Sequence, residues 1–240
     1  MFLINNEPAF KQTGWYKYKN FFIVPTGLFK INSYICAMAR DGKPTRDIIL
    51  SESKNLVFEN GFSGTSIDLI LQKAGITKGA FFYHFKSKNA LAKAMIEEYA
   101  REDMAHMNHA LEKTRQTGRD PLHRLLEFIQ EFIDMMTDLK SPPGCLYASY
   151  MYEPNQFSPD IKAHITETIL SWRKTFEFLL RDVLEEYRAP ENVDVHSLAD
   201  MFTVIFEGAL IVSKALNEPD VTHKQLLHLK NYFELLFVKK

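Results

Sequence analysis

Polar and basic side chains cluster in one stretch of the chain, residues 65–85, where two short helices would meet at a glycine. Residues 65–68 read Thr-Ser-Ile-Asp and fit a capping box, and Gly75 would end the helix that follows. Thr77 can cap a second short helix, so the stretch predicts a helix-turn-helix. In such a motif the second helix lies in the major groove of DNA, with its first residues facing the bases.

The residues that open the second helix suit contact with a DNA duplex. Thr77 would lie at the helix N-terminus, where free backbone N–H groups and the helix dipole attract phosphate. Lys78 adds a charged donor, and Gly79 is small enough for the backbone to come close to DNA. The chemistry of these three positions therefore agrees with a place in the major groove.

An aromatic run completes the second helix. Phe82, Tyr83 and His84 are large and adjacent, so they cannot all face one core. Tyr83 and His84 can donate hydrogen bonds to phosphates. Phe81 and Phe85, at the two ends of the run, are expected to be core residues.

The charge of the chain is uneven, although its formal net charge is only −1. Residues 72–93 contain five lysines and no acidic residue. Residues 94–240 carry sixteen basic and twenty-four acidic residues, a net charge of −8. A basic block beside an acidic body indicates a polyanionic partner for the block alone. On charge alone a solvated lysine face would explain the block equally well.

The stretch from Asn60 to Leu91 strongly resembles the DNA-binding region of TetR-type (TetR/AcrR) transcription regulators. The matching features are Gly61-Phe62, Thr65-Ser66, the run at 74–80, the aromatic run at 81–85 and Lys86-Ser87-Lys88. Many positions agree at fixed spacing, so the resemblance is specific over about residues 45–91. The number and order of the helices extend it loosely to the C-terminus.

The resemblance implies a role in DNA binding at each matching position. The residues expected to contact phosphates are Ser66, Tyr83, His84 and Lys88. Those expected to approach bases or sugars are Thr77, Lys78, Gly79 and Phe82. Thr45, which can cap the first helix, completes the predicted DNA-binding set. Phe82 departs from the family, which often has tyrosine there, so an apolar contact such as one with a thymine methyl group is expected.

Helical periodicity and helix caps recur along the rest of the chain and predict an all-α fold. Residues 44–91 would form the helix-turn-helix head, and residues 92–240 an effector-binding and dimerisation body of about six helices. No convincing strand pattern is present. Residues 1–43 lack a sustained period, which predicts a poorly structured extension. Met38 resembles a natural start of translation, with a short polar tail before the first helix.

Methionine and aromatic residues are frequent in the predicted body. Most must form its core, but such side chains also suit an adaptable apolar pocket. The resemblance implies a pocket of this kind for a small-molecule effector, between the middle helices. The candidate lining residues are Met107, Phe132, Tyr147, Tyr150, Met151, Trp172 and Phe176. Tyr147, Tyr150 and Trp172 are the best candidates, because each combines apolar area with a polar group.

The last two predicted helices, residues 194–217 and 222–238, are expected to pair with their copies in a second chain as a four-helix bundle. The predicted interface residues are Phe202, Phe206, Leu226, Leu229 and Phe233. A homodimer of this kind would hold two recognition helices about 34–36 Å apart, which matches one turn of DNA and a palindromic operator. Effector binding would tilt the long helix that begins at Lys88, separate the heads and weaken DNA binding.

Other residues that could carry chemistry give weaker signals. The histidine pairs at 106/109 and 223/228 lack a cysteine or carboxylate to complete a ligand set, so no metal and no cofactor is predicted. Cys145 is expected to be a buried structural cysteine rather than a redox sensor, because no neighbouring base would lower its pKa. Glu153 and Glu207 do not form an evident catalytic pair, so the sequence does not predict an enzyme.

Cysteine usage and hydropathy favour a cytoplasmic protein without a membrane partner. The chain has two cysteines, too few for a disulfide framework, and no run approaches the ~20 apolar residues of a membrane helix. The expected partners are double-stranded operator DNA, a small and largely apolar effector, and a second copy of the chain. A ligand-responsive repressor is the favoured function. The alternatives are an activator and a helical DNA-binding or interaction module without an effector.

Overall fold

Helices account for most of the residues that the structure describes. The computed structural model describes residues 43–115, 120–141 and 144–240. Its helices are α1 (Lys43–Gly64), α2 (Ile67–Ala74), α3 (Lys78–His84), α4 (Lys88–Arg115), α5 (Pro121–Met135), α6 (Leu146–Met151), α7 (Pro159–Glu186), α8 (Val195–Leu216) and α9 (Val221–Leu236). The predicted all-α fold, with three helices in the head and six after it, is confirmed. The predictions for residues 1–42, including a start at Met38, lie outside the described residues.

One short pair of antiparallel strands was not predicted. The strand β1 (Tyr187–Arg188) follows α7, and β2 (Val238–Lys239) follows α9, with Tyr187 opposite Lys239. The Tyr187 hydroxyl donates a 2.6 Å hydrogen bond to the Asp120 carboxylate, which the Lys239 amine also contacts at 3.1 Å. Strands of two residues are too short to show an alternating pattern, so hydropathy could not reveal them.

Local capping chemistry forms the predicted helix-turn-helix. Ser66 caps α2 by accepting a 3.1 Å hydrogen bond from the Leu69 N–H, and Thr77 caps α3 by accepting one from the Ala80 N–H at 3.2 Å. Gly75 ends α2 in the left-handed region, with a φ of 65°, which costs glycine little and most other residues more. These three residues set the turn between the two helices.

The first helix differs from its prediction. It begins at Lys43, so Thr45 lies inside its first turn and is not its N-cap. Toward its other end, Gly61 adopts a φ of 73° and kinks the helix. The residues after the kink turn the chain toward α2.

Two clusters of buried side chains form the core. The head cluster joins α1–α3 to the first half of α4, to α6 and to the start of α7; it includes Phe62, Ile70, Phe81 and Tyr150. The body cluster fills the space between the end of α4, α5, α7, α8 and α9. Because the head cluster runs past residue 91, the predicted boundary between head and body does not coincide with a gap in the packing.

The loop before α6 packs tightly against α1. A β-carbon on Gly144 would lie 2.9 Å from the Phe58 ring, which is closer than the optimal separation of about 3.5–4.0 Å between carbon atoms. The absence of a side chain at Gly144 therefore allows α6 to lie on α1. This contact brings the segment after α6 close to the helix-turn-helix.

We expect Gly144→Ala to lower the free energy of unfolding by about 1–3 kcal/mol, because the added methyl group must displace the Phe58 ring or α6. Urea titrations followed by circular dichroism would measure the change. Phe58→Leu provides the matched background, since removing the ring should reduce the cost of the same substitution. An equal cost in both backgrounds would contradict the close approach of Gly144 to Phe58.

Candidate nucleic-acid interface and ligand cavity

The start of α3 is presented to solvent. Residues 77–79 are exposed, and the Tyr83 side chain is 75% exposed. Phe81 and Phe85 are buried in the head cluster and hold α3 against α1 and α2. The predicted division of the aromatic run is therefore confirmed for its two core residues. The predicted contact residues Thr77, Lys78, Gly79 and Tyr83 are accessible together.

The remaining predicted contact residues of the two short helices differ in their exposure to solvent. Ser66 is exposed at the N-terminus of α2, whereas Phe82 and His84 are half-buried. The Phe82 ring packs edge-on against the preceding phenylalanine, with 5.3 Å between ring centres, and the His84 ring packs edge-on against Tyr83 at 4.9 Å. Thr45 is half-buried in the first turn of α1.

The Lys88 amine, which is predicted to contact a phosphate, contacts Phe62 in the structure. The ammonium group donates a hydrogen bond to the Phe62 carbonyl and lies 4.2 Å from the centre of the Phe62 ring. Burial lowers the pKa of Lys88, while the nearby Glu153 carboxylate acts in the opposite direction. The partly buried amine thus contacts the bend between α1 and α2. Sequence reasoning could not detect this contact, because Phe62 lies on another helix.

Glu153, two residues after α6, binds the same bend and was not predicted to have a role there. Its carboxylate accepts hydrogen bonds from the Ser63 hydroxyl, from the Ser63 N–H at 3.0 Å and from the Phe62 N–H at 2.7 Å. These bonds, that of the Ser63 hydroxyl above all, hold the pKa of Glu153 below its usual value. The carboxylate therefore ties a segment of the body to the backbone that enters α2.

The kink at Gly61 makes room for this carboxylate. A β-carbon on Gly61 would lie 2.9 Å from the Glu153 Oε1 atom, and the positive φ of Gly61 would strain any other residue. The one signal in the sequence was the glycine itself. Nothing in the sequence connects it with a glutamate so far along the chain.

A cavity of about 50 Å³ lies between the two core clusters. Cys145 and Tyr147 reach it from the head cluster, Trp172 reaches it from the body cluster, and Phe206 packs against both. The complete lining is Tyr99, Asp103, Phe132, Met135, Cys145, Tyr147, Ile169, Trp172, Phe202, Thr203, Phe206 and Glu207. The cavity is therefore formed by α4, α5, α6, α7 and α8 and by the residue before α6.

Three of the predicted pocket residues, Phe132, Tyr147 and Trp172, line this cavity. Phe132 and Trp172 pack edge-on, with 5.1 Å between ring centres. All three lie on inward-facing sides of their helices, and helical periodicity in the sequence predicts such positions.

The other four predicted pocket residues lie elsewhere. Met107 and Phe176 are buried in the body cluster, so they support the core rather than the cavity. Tyr150 donates a 3.0 Å hydrogen bond to the Ala92 carbonyl in the head cluster. Met151 is 49% exposed. Apolar periodicity marks all four as inward or interfacial, but it cannot separate a core position from a cavity wall.

Asp103 connects three helices at the cavity wall. Its Oδ2 atom accepts a 2.8 Å hydrogen bond from the Trp172 indole N–H and a 3.0 Å hydrogen bond from the Tyr147 hydroxyl. Burial raises the pKa of Asp103, and the two hydrogen bonds oppose this rise. A sequence signal existed, because Asp103 falls on the same face of α4 as the buried residues Ala100 and Met107.

Glu207, on α8, faces the same cavity. Its Oε2 atom is buried and has no hydrogen-bond partner among the described residues. Cys145 lies beside the Glu207 carboxylate, and burial raises the pKa of both groups. A thiol with a raised pKa is a poor nucleophile at neutral pH, which agrees with the interpretation of Cys145 as a buried structural cysteine. The sequence predicts no neighbouring base that would lower the pKa of Cys145, and the Glu207 carboxylate raises this pKa.

The side chains predicted for the dimer interface face the core of their own chain. Phe206 lines the cavity, and the other four have at most 3% exposure: Phe202, Leu226, Leu229 and Phe233. The prediction is wrong for these residues. Helical periodicity selected the faces of α8 and α9 that pack against α5, α7 and each other.

A second apolar face runs along the same two helices. Its exposed side chains are Val204, Ile211, Val212, Leu216, Leu227, Tyr232 and Leu235. Within the part of the chain that the structure describes, α8 is the single helix that is long and apolar enough to cross a membrane by length and composition. Its packing against α7 and α9 explains part of that apolar character. The exposed face accounts for the rest and marks a candidate contact surface.

Two stretches of the chain match known families. Residues 49–95 match the bacterial regulatory proteins of the tetR family, and residues 121–229 match the tetracyclin repressor-like C-terminal domain. Together the two matches cover more than half of the chain. They include the helix-turn-helix and most of the helices that surround the cavity.

Named relatives agree with these matches. The transcriptional regulator AcuR of Cereibacter sphaeroides is 28% identical over 166 residues, which cover 69% of this chain and 74% of AcuR. The HTH-type transcriptional repressor NemR of Escherichia coli strain K12 is 26% identical over 187 residues, which cover 78% of this chain and 92% of NemR.

A solved structure supports the fold. The crystal structure of a TetR transcriptional regulator from Chloroflexus aurantiacus superposes with a TM-score of 0.68 at 23% sequence identity, covering 84% of this chain and 100% of that one. The capped helix-turn-helix, the helical body behind it and the matches to both family regions lead to one conclusion. The chain belongs to the TetR family of bacterial regulatory proteins.

Proposed function

We propose that the protein is a ligand-responsive transcriptional repressor that binds a palindromic operator as a homodimer. The observation that carries the proposal is the exposed start of α3, where residues 77–79 and Tyr83 lie at the surface while Phe81 anchors the helix from behind. The exposed lysines at 73, 78 and 86 give this surface the charge that attracts a phosphate backbone. Relatives that are named as repressors favour repression over activation. Regulators of this family are not enzymes.

The dimer in this proposal uses the second apolar face of α8 and α9. Two copies of that face would form a four-helix bundle, as the sequence suggested, but with different side chains at the centre. Leu235, 83% exposed, and Val204, 66% exposed, are the most exposed apolar members. A two-fold axis through this bundle would place two α3 helices about 34–36 Å apart on one face of a duplex.

Effector binding would reach the head through α6. Cys145 and Tyr147 line the cavity at the start of this short helix. Just beyond its end, the Glu153 carboxylate accepts hydrogen bonds from the backbone of the bend before α2. A ligand that displaces α6 would therefore move the carboxylate that positions α2. By thermodynamic linkage, operator DNA must weaken ligand binding by the same factor, typically about 5–150-fold.

A regulator without an effector and an activator are the alternatives. Selection of bound duplexes from a random pool, followed by titration at several salt concentrations, would test DNA binding directly. A compound that raises the melting temperature and releases the selected DNA would support the ligand-responsive form. Failure to bind any duplex at low salt would refute the proposal.

Lys78→Ala should weaken binding to the selected operator by about 1–3 kcal/mol and binding to random DNA by less, because this side chain approaches the bases. Fluorescence anisotropy with both duplexes would give the two losses. Lys140→Ala, an exposed lysine after α5, is the matched control and should leave both affinities unchanged. Equal losses on the two duplexes would contradict base contact by Lys78.

Leu235→Arg should convert the dimer to monomer, because it places a charge in the proposed interface without touching the protomer core. Sedimentation velocity would report the state, and circular dichroism would confirm that the helices are retained. Tyr152→Arg alters another exposed apolar residue, 73% exposed and outside this face, and should remain dimeric. A dimer of unchanged affinity in Leu235→Arg would refute the interface.

Glu153→Gln should flatten the dependence of stability on pH in the acid range. The pKa of Glu153 is lowered in the folded state, so its contribution is present above the ordinary value of 4.5 and is lost as the pH falls through the folded-state pKa. Urea midpoints between pH 7 and pH 3 would measure this, with Glu185→Gln, an exposed glutamate of α7, as the control.

NMR amide signals from the bend before α2 would report the titration of Glu153 directly. In the wild-type protein the Phe62 and Ser63 amide shifts should titrate with a pKa below 4.5. In Glu153→Gln this titration should disappear. Its persistence in the variant would show that another group, not Glu153, controls the bend.

A further inference from the structure

The lining of the cavity is asymmetric in charge. Asp103 and Glu207 are acidic, and none of the twelve lining residues is lysine, arginine or histidine. Among the described residues, neither carboxylate forms a salt bridge with a lysine or an arginine. His106, which influences Asp103 electrostatically, does not line the cavity. The electrostatic field inside the cavity therefore favours positive charge.

The two carboxylates differ in how far their hydrogen-bonding capacity is used. Both bonds to Asp103, from Trp172 and Tyr147, end on the same oxygen. The Glu207 carboxylate hydrogen-bonds the Cys145 thiol, but its Oε2 atom is buried with no partner among the described residues. A buried carboxylate oxygen without a donor is costly. A ligand that donates a hydrogen bond to Glu207 would remove that cost.

Aromatic rings form much of the remaining wall. The six aromatic lining residues are Tyr99, Phe132, Tyr147, Trp172, Phe202 and Phe206. The faces of such rings attract cations, and groups of rings are the usual recognition device for organic ammonium ions. The same rings offer apolar area to the rest of a ligand.

The size of the cavity limits its ligand. The volume is about 50 Å³, whereas a cavity of about 150 Å³ holds one benzene molecule. A ligand of more than a few heavy atoms must push lining side chains apart. Because Tyr147 is part of the lining, that displacement would act on α6.

We propose that this cavity binds a small organic cation, an ammonium group attached to a compact apolar group. The ammonium group contacts Glu207 and lies among the aromatic rings, and the apolar group occupies the remainder of the cavity. This inference rests on the proposed function for its regulatory meaning, because it names the chemical class of the effector. It differs from the expectation of a largely apolar effector, since a neutral hydrocarbon would leave the Glu207 Oε2 atom without a donor.

Two other ligand chemistries fit the cavity less well. An organic anion would face two acidic side chains and no base, which is unfavourable in a site of low dielectric. An electrophile that reacts with Cys145 would need a thiolate, but burial and Glu207 raise the pKa of this thiol. Both chemistries remain outcomes that the experiment must be able to report.

Direct binding can be measured through Trp172, which lines the cavity and is one of two tryptophans in the chain. Trp15→Phe would leave it as the single indole. The probes are benzylammonium, benzyl alcohol and benzoate, which share one ring and differ in charge, together with the smaller pair butylammonium and butanol. We expect each ammonium ion to bind at least tenfold more tightly than its alcohol, and benzoate to bind most weakly.

Charge-removing variants identify the groups responsible. Glu207→Gln, which keeps the shape of the side chain, should reduce the preference for benzylammonium over benzyl alcohol at least fivefold and leave the alcohol affinity nearly unchanged. Asp103→Asn should reduce the preference less, because its carboxylate already accepts two hydrogen bonds. Glu185→Gln is the control and should behave as the wild-type protein does.

The outcomes separate this inference from the proposed function. A preference for benzyl alcohol or benzoate, an unchanged preference in Glu207→Gln, no binding of either ammonium ion, or a covalent adduct on Cys145 by mass spectrometry as the mode of binding would overturn the cation site. None of these results would affect binding of the selected operator DNA. Loss of all DNA binding would refute the regulator, while the Trp172 titration would still report on the cavity.

Discussion

The packing of Phe62 against the segment after α6 is the interaction on which the DNA-binding head depends. The Phe62 ring lies 4.6 Å from the Phe157 ring and 5.7 Å from the Tyr150 ring, and these two rings stack at 4.0 Å. The helices α2 and α3 have eight and seven residues, and helices this short are not stable alone in water. Their position is therefore set by packing, and part of that packing comes from the body. Glu153 reinforces it with hydrogen bonds to the backbone beside Phe62.

This arrangement makes the six-residue helix α6 one connection between the cavity and the head. At the start of α6, the Asp103 carboxylate accepts hydrogen bonds from both Tyr147 and Trp172. These hydrogen bonds connect the first turn of α6 to α4 and α7. After its end, Glu153 holds the bend before α2. Packed cores respond to displacement by switching between arrangements rather than by deforming continuously. Under the proposed function, displacement of a side chain in the cavity would therefore change the position of α2 and α3.

Local sequence patterns were sufficient to predict the helices of the head, but they did not predict the contacts that hold the head to the body. Ser66, Gly75 and Thr77 act on residues within one turn of themselves, so their spacing predicted both short helices correctly. The Lys88 amine and the Glu153 carboxylate act on backbone groups of a distant segment, and no local pattern encodes such a partner. Periodicity also found the inward faces of α8 and α9, and it placed Phe132, Tyr147 and Trp172 at the cavity. It failed for the side chains of the predicted dimer interface, because an apolar face has the same signature whether it packs on its own chain or on another.

The two acidic residues of the cavity illustrate why burial alone does not define a binding group. Asp103 and Glu207 are both largely buried, and burial raises the pKa of each. Asp103 offsets that cost with donors from Trp172 and Tyr147, so its carboxylate has a structural explanation within the chain. The Glu207 carboxylate hydrogen-bonds the Cys145 thiol, but its Oε2 atom has no partner among the described residues. Helix α8 would be more stable with an apolar residue at that position, since polar groups in an apolar site destabilise a fold unless they are satisfied. This unsatisfied oxygen is the reason that the proposed cation site is centred on Glu207 rather than on Asp103.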